Sequence, residues 1–340
     1  MNKYRFCGVS QMGKSHETSE TVNQDAYYFL DKTEYIIAAV ADGLGSSKRS
    51  DIASKIAVKG AVEHCAGLIS TKTQDKDILK IITDAFDKVN FEIKQTAGEH
   101  LDDYDTTLTL AVFMHHSVFF GHVGDSGVIA LRCDGKFEEV TVPQLGSGYG
   151  KERPVFPLAS KSHWVFGKYK HKTKAIFLMT DGMLNKVIPP MLDKQVYKLD
   201  HEYLFYIYDN LCKNANLDKW IVDEMTLILP PEVNYDDKTI VAIVFIKSRI
   251  KLQTKKYYLF PGKDLWSSLL EQQKRQLYSY RYQDKKDTPT DKRVDGNGQT
   301  LLSSIINRAG EKKKLLMLLI PAILLATIIV FTFLVLLLVK

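Results

Sequence analysis

The sequence predicts an α+β protein. One antiparallel, sheet-rich domain spans residues 1–247, a basic linker spans 248–314, and a single transmembrane helix spans 315–339. Three observations carry this. Short β-branched runs follow one another through links too brief for crossover helices. Two longer segments instead repeat apolar residues at helical spacing. The 25 residues Leu315 to Val339 contain no charge.

The strands come first. Apolar, β-branched runs predict them at Tyr35–Ala41, Thr107–Phe113, Ser117–Val123, Val128–Arg132, Ala175–Met179 and Thr239–Ile246. Ile52, Ile56, Val58, Ala61 and Val62 predict a helix within 51–68. Ile78, Ile81, Ile82, Ala85, Phe86 and Val89 predict another within 76–96, and a third covers about 201–213. The runs 107–113, 117–123 and 128–132 have short links, which predicts an antiparallel meander rather than a doubly wound parallel sheet. The stretch 141–173 is rich in Gly, Pro and Lys and lacks periodicity, so it reads as a long surface excursion. No internal repeat occurs.

The C-terminal segments follow. Residues 248–314 carry charge clusters, Tyr/Gln runs, a Thr-Pro-Thr and a Gly-Asn-Gly, the composition of a flexible linker. Within it, Phe260-Pro-Gly-Lys-Asp-Leu-Trp266 with Leu269 and Leu270 has the pattern of a short docking helix. As a helix at ~1.5 Å per residue, 315–339 reaches roughly 37 Å, more than a hydrocarbon core of about 30 Å requires. Lys312, Lys313 and Lys314 precede it and only Lys340 follows, which favours a cytosolic placement of the preceding chain. Met1 to Cys7 contains no apolar signal-peptide core. The expectation is a tail-anchored membrane protein with its domain in the cytosol.

The net charge of +6 divides unevenly. Residues 247–340 carry 18 Lys/Arg against 7 Asp/Glu, net +11, which leaves −5 on residues 1–246. The basic tail suits an anionic lipid surface or a solvated linker. The domain is not a nucleic-acid binder on charge grounds. Cys7, Cys65, Cys133 and Cys212 are far apart with no C-x-x-C pair, which argues against a disulfide framework or zinc ribbon and fits a reducing compartment.

The chemistry is carried by aspartates at strand ends. Asp42 closes Ala-Ala-Val-Ala-Asp-Gly, and Asp181 closes Ile-Phe-Leu-Met-Thr-Asp-Gly. Asp125 follows Gly-His-Val-Gly, Asp236-Asp237 precedes a final apolar run, and Asp25 lies just before Tyr-Phe-Leu. Any one of these is ordinary turn chemistry. Together they predict carboxylates converging on one sheet edge, where repulsion calls for cations. An all-oxygen donor set suits Mg²⁺ or Mn²⁺.

These blocks stand in an order that resembles the PP2C-type (PPM) metal-dependent serine/threonine protein phosphatases, closest to the bacterial branch. They are Gln24-Asp25-Ala26, Val40-Ala41-Asp42-Gly43-x-Gly45, Thr106-Thr107, Gly124-Asp125-Ser126, Thr180-Asp181-Gly182 and Asp236-Asp237-x-Thr239. The resemblance implies an α-β-β-α sandwich of two antiparallel sheets flanked by helices. It implies two Mn²⁺ or Mg²⁺ ions at one end of the sandwich. Asp42 would bridge both, the Gly43 carbonyl and Asp25 would serve one, and Asp181 and Asp236 the other. Asp125 with Asp181 would match a third, weaker metal position. The implied reaction is in-line attack on a phosphomonoester by a water bridging the two metals, with no covalent enzyme intermediate.

The departures are specific. Gln24 stands where many eukaryotic members have Glu, and Leu44 where they have a His. The family's phosphate-binding Arg is missing, and Gly13-Lys14-Ser15-His16 occupies its region. His16 is the candidate phosphate contact or acid, against a plain surface or structural role. Asp105 replaces the Gly before Thr-Thr, and Asp237 replaces Asn. His115-His116 at a hairpin turn has no third ligand spaced for a metal. Gly43-x-Gly45-Ser-Ser lacks the Gly-Lys-Ser/Thr ending of a phosphate loop. Ser46, Ser47 and Arg49 are instead candidates to cap the helix that starts near Ser50. No Gly-x-Ser-x-Gly elbow occurs. The expected partners are a phosphoprotein substrate with a cognate Ser/Thr kinase, and the membrane. The rival reading is a membrane-tethered pseudophosphatase acting as a scaffold. A phosphatase for small molecules is a third.

Overall fold

The computed structural model describes residues 3–19, 21–144, 157–187, 201–213, 236–246 and 250–252. The elements run β1 (Tyr4–Gln11), α1 (Lys14–Ser19), β2 (Ala26–Asp31), β3 (Tyr35–Ala41), α2 (Ser50–Leu68), α3 (Asp75–Ala97), β4 (Leu108–Met114), β5 (Ser117–Val123), β6 (Gly127–Arg132), β7 (Phe137–Glu139), β8 (Val165–Lys168), β9 (Thr173–Met179), α4 (Asp181–Val187), α5 (His201–Lys213) and β10 (Lys238–Phe245). The predicted anchor, the docking helix near Trp266 and the linker apart from residues 250–252 lie outside the described residues. Among the described residues no helix is long and apolar enough to cross a membrane.

The strands form two five-stranded sheets. One has the order β1-β10-β9-β6-β7 and the other β2-β3-β4-β5-β8. Every ladder is antiparallel. The central strands β3, β4, β9 and β10 are buried along their whole length and read as largely apolar runs because both their faces are covered. Along β10, Ile240, Ala242 and Val244 pack with Leu204, Ile207 and Leu211 of α5. The alternate residues Val241, Ile243 and Phe245 fill the space between the sheets with Ile36, Ala38 and Val40 of β3. The other face of β3, Ile37, Ala39 and Ala41, meets α2 and α3. The result is the α-β-β-α sandwich that the resemblance implies.

Helix positions follow from their apolar faces. Ile78, Ile82, Phe86, Val89 and Ile93 of α3 are all buried, at the steps of three and four residues that gather one face. Ala53, Ala57 and Ala61 of α2 are fully buried, and their small size lets the helix lie close on β2 and β3.

Three sequence expectations need correction. The meander breaks after its second strand: β4 pairs with β5, but β6 pairs with β7 and β9 in the other sheet. Gly124, at φ 106°, turns the chain between the sheets in a conformation only glycine adopts readily. The stretch 141–173 is not wholly a surface excursion. Its β8 extends the second sheet, and Leu158 is buried with its N–H on Thr106 O at 2.7 Å. The start of α2 is not capped by a serine side chain. Arg49 takes the cap position with no side-chain cap bond, while Ser47 Oγ donates to Asp102 O at 2.7 Å.

A buried histidine adds an acid liability. His122 of β5 is 1% exposed. Its Nε2 lies 3.2 Å from Val142 O, so Nε2 carries the hydrogen and Nδ1 accepts from Thr109 Oγ1 at 2.9 Å. Burial pushes its pKa down to about 4 from an ordinary 6.5. The unfolded chain therefore takes up this proton before the folded chain does. The contribution is whole above pH 6.5 and is lost as pH falls toward 4, by roughly 3 kcal/mol. Urea unfolding at pH 7.0 and 4.5 is expected to show this loss. The wild-type loss should exceed that of His122→Gln, and equal losses would remove the ring from the account.

Candidate active site

Antiparallel pairing decides where the acidic residues meet. Asp25 precedes the start of β2 and Asp42 follows the end of β3, which pair Ala26 with Ala41. Thr106 and Thr107 precede β4, and Asp125 follows β5, paired through Leu108 and Val123. In the other sheet Asp181 opens α4 just beyond β9. Asp236 and Asp237 precede β10, whose Ile240 pairs with Met179. Alternating strand direction thus brings one end of each strand to the same edge of both sheets.

The backbone there is tightly held. Asp42 N donates to Thr107 Oγ1 at 2.9 Å, and Thr106 Oγ1 donates to Asp42 O at 3.0 Å. Gly43 bridges to Thr106 and donates its N–H to Gln24 O at 3.2 Å. Gly182 is required by close approach: a Cβ there would sit 2.1 Å from Asp237 O, so α4 seats Asp181 directly beside the start of β10.

The fold holds the five aspartates within Coulombic reach of one another, against their mutual repulsion. Burial raises the Asp42 carboxyl well above the ordinary range, with Asp25, Asp181, Asp125 and Asp236 adding repulsion. Burial raises Asp181 likewise, reinforced by Asp236, Asp125 and Asp25, while a hydrogen bond with Asp42 opposes the shift. Asp25 is pushed up to about 8, chiefly by burial, although Thr180 Oγ1 donates to its Oδ2 at 2.7 Å. The Oδ1 atoms of Asp25 and Asp181 are enclosed and accept no hydrogen bond. Such orphaned acceptors carry a desolvation cost that a cation would relieve.

The donor set, carboxylates with backbone and hydroxyl oxygens, fits a hard divalent cation such as Mg²⁺ or Mn²⁺. Asp25, Asp42, Asp181 and Asp236, with the Gly43 carbonyl, are the residues that could hold it, and Asp125 adjoins them. Among the described residues no three His, Cys, Asp or Glu side chains already form a metal-binding group. The carboxylates are neighbours within Coulombic reach, and like charges do not draw their oxygens onto one point.

His16 also reaches this edge. Its Nδ1 lies 2.8 Å from Asp237 Oδ2. Asp237 further accepts Gly13 N on Oδ1 at 2.7 Å and Gln24 N on Oδ2 at 2.7 Å. Leu44, in the place of a family His, donates its N–H to Asp105 O at 3.0 Å. His115 and His116 remain at their hairpin between β4 and β5, where His116 Nδ1 lies 2.9 Å from Thr173 O.

Sequence reasoning passed over several second partners. Thr180 holds Asp25 and accepts Thr239 N at 3.0 Å. Ser10 Oγ accepts from Thr239 Oγ1 at 2.7 Å and from Asn23 Nδ2 at 2.9 Å. Lys238, almost fully buried, donates Nζ to Asp236 O at 3.1 Å. The threonines were visible within the Thr-Asp-Gly and Asp-Asp-x-Thr blocks, whereas Ser10 and Lys238 carry no sequence signal of this kind.

A two-sheet sandwich whose strands deliver five aspartates to one edge defines a class: α-β-β-α domains with an acidic edge that could take a divalent cation. The sequence matches the family described as protein phosphatase 2C over residues 12–223, more than half of its length. The chain belongs to that family. Comparison with curated proteins gives no match. Among solved structures the chain is similar to the serine/threonine phosphatase Stp1 from Staphylococcus aureus, at 17% identity and a TM-score of 0.52, covering 72% of this chain and 95% of that one. It is also similar to the S. agalactiae serine/threonine phosphatase, at 18% identity and a TM-score of 0.51, over 71% and 99% of the two chains. A third similar structure is PppA, a key regulatory component of T6SS in Pseudomonas aeruginosa, at 18% identity and a TM-score of 0.50, over 72% and 98%. Likeness at these identities speaks for the fold alone.

Proposed function

We propose that this chain hydrolyses phosphoserine and phosphothreonine monoesters on proteins, with two Mn²⁺ or Mg²⁺ ions and a weaker third, at the cytosolic face of a membrane. The observation that carries the reading is the convergence of Asp25, Asp42, Asp125, Asp181 and Asp236 at one edge of a protein phosphatase 2C domain.

Divalent cations, when bound, supply positive charge for the phosphate dianion and acidify water for attack. The chain's own residues do the rest. Asp42 stands at the end of β3 and Asp181 across the sandwich beyond β9, so a ligand they hold touches both sheets. Thr180 fixes one oxygen of Asp25 and leaves Oδ1 as its unused acceptor. Asp236 is presented by a backbone that Lys238 holds through its carbonyl. His16 is the side chain assigned to contact the phosphoryl group or to protonate the leaving serine or threonine oxygen. The scissile P–O bond breaks as the water oxygen attaches opposite it.

The basic tail and the charge-free segment 315–339 support attachment beside a membrane, where a Ser/Thr kinase would supply the substrate. Full-length protein is expected to release phosphate from a phosphoserine peptide when Mn²⁺ is added and to stop when EDTA is present. Removing residues 312–340 should leave that turnover intact and abolish recovery in membrane fractions. Absence of metal-dependent release would leave the scaffold reading in its place.

A further inference from the structure

We propose that Asp237 is a positioning residue that acts through His16, fixing which ring nitrogen His16 presents to the phosphoryl group. The inference rests on the phosphatase reading above and deepens it.

Asp237 collects hydrogen bonds from three places in the chain. Its Oδ1 accepts Gly13 N at 2.7 Å, at the turn that starts α1. Its Oδ2 accepts Gln24 N at 2.7 Å, one residue before the acidic Asp25. The same Oδ2 meets His16 Nδ1 at 2.8 Å. The Asp237 side chain is 3% exposed and that of His16 is 16% exposed, so the pair is shielded on the carboxylate side and more open on the imidazole side.

Chemistry then decides the tautomer. Both carboxylate oxygens already face backbone N–H donors, so Asp237 is an acceptor to all three partners. His16 Nδ1 must therefore carry hydrogen. The ring chemistry toward a substrate falls to Nε2. A second, buried group that sets the tautomer in this way is a recurrent device for directing a histidine.

The presence of Asp rather than Asn at this position has a direct consequence. Asparagine offers one oxygen and one NH₂ group. With donors on both sides, one orientation sets NH₂ against Gly13 N, and the other sets it against Gln24 N and His16 Nδ1. Asp237→Asn would therefore release His16 or break the turn before α1. Because Gln24 hangs on the same carboxylate, Asp237 also ties the orientation of His16 to the segment that carries Asp25.

The test uses the full chain with a phosphoserine peptide and Mn²⁺. Asp237→Asn and His16→Asn are each expected to lower kcat by about 10²-fold. The double variant should be no slower than either single one, because both remove the same interaction. Mn²⁺ affinity of D237N by calorimetry should stay near wild type. Histidine-¹⁵N NMR, with His16 assigned by its loss in H16N, should report Nδ1–H in the wild type and the other tautomer or a mixture in D237N. Multiplicative rate losses in the double variant would overturn the proposal. So would loss of Mn²⁺ affinity in D237N, which marks a structural role beside Asp236. An inactive wild type would end the phosphatase reading, and the NMR measurement would still decide on Asp237: an unchanged tautomer in D237N rejects it.

Discussion

Asp181→Ala is expected to abolish Mn²⁺-dependent phosphate release, with a loss of about 10³-fold or more. Charge stabilisation by a bound cation contributes several kcal/mol to such transition states, and each 1.4 kcal/mol is about tenfold. Asp181 stands where β9 gives way to α4. Its carboxyl is raised by burial and by the repulsion of Asp236, Asp125 and Asp25. That repulsion makes a second, opposite effect measurable. Without divalent ions, removing Asp181 relieves like-charge strain, so the thermal midpoint in EDTA should equal or exceed that of wild type. With Mn²⁺ present the order should reverse, because ligand-linked stabilisation grows with affinity for the folded state. Asp181→Asn, which retains a partner for Asn185 Nδ2, should behave in the same way. Undiminished turnover in either variant, or an unchanged Mn²⁺-induced rise in midpoint, would remove Asp181 from the site.

Phe86→Ala carries the largest expected loss of stability, about 3–5 kcal/mol. Phe86 of α3 is fully buried over β5. Its ring meets Trp164 edge-on at 5.5 Å and Phe166 at 5.1 Å, with interplanar angles of 70° and 81°. These rings come from the segment around β8, far along the chain, so the truncation opens a cavity where α3, β5 and β8 join. The midpoint of urea unfolding should fall while the slope holds. Phosphopeptide turnover measured well below the transition should be near wild type, since Phe86 touches none of the acidic edge. A shift of under 1 kcal/mol would mean that the joint collapses to fill the space.

Much of the fold was legible because the relevant signals are local. Strand β3 and strand β5 begin and end where their apolar runs do, and α2 and α3 match their periodic segments within a residue or two. Both sheets are covered on both faces, so their central strands stand out in composition. The short edge strands β7 and β8, half-exposed and mixed in sequence, did not. The sheet to which β6 belongs was also hidden. A short link after β5 is compatible with pairing to β5 or with crossing the core. The choice is made by which buried face finds its complement, a long-range matter.

The site divides in the same way. The aspartates were readable singly, since each ends or begins an apolar run, and their order along the chain carried the family resemblance. What sequence by itself determined is therefore the inventory: a sheet-rich domain, the acidic residues at its strand ends, and a charge-free C-terminal segment in a basic setting. Tertiary structure alone decided their partners. Thr180 meets Asp25 across 155 positions, and His16 meets Asp237 across 221. No periodicity spans such distances. These contacts exist because antiparallel ladders in two packed sheets return distant strand ends to one edge, where burial makes every unmatched donor and acceptor costly.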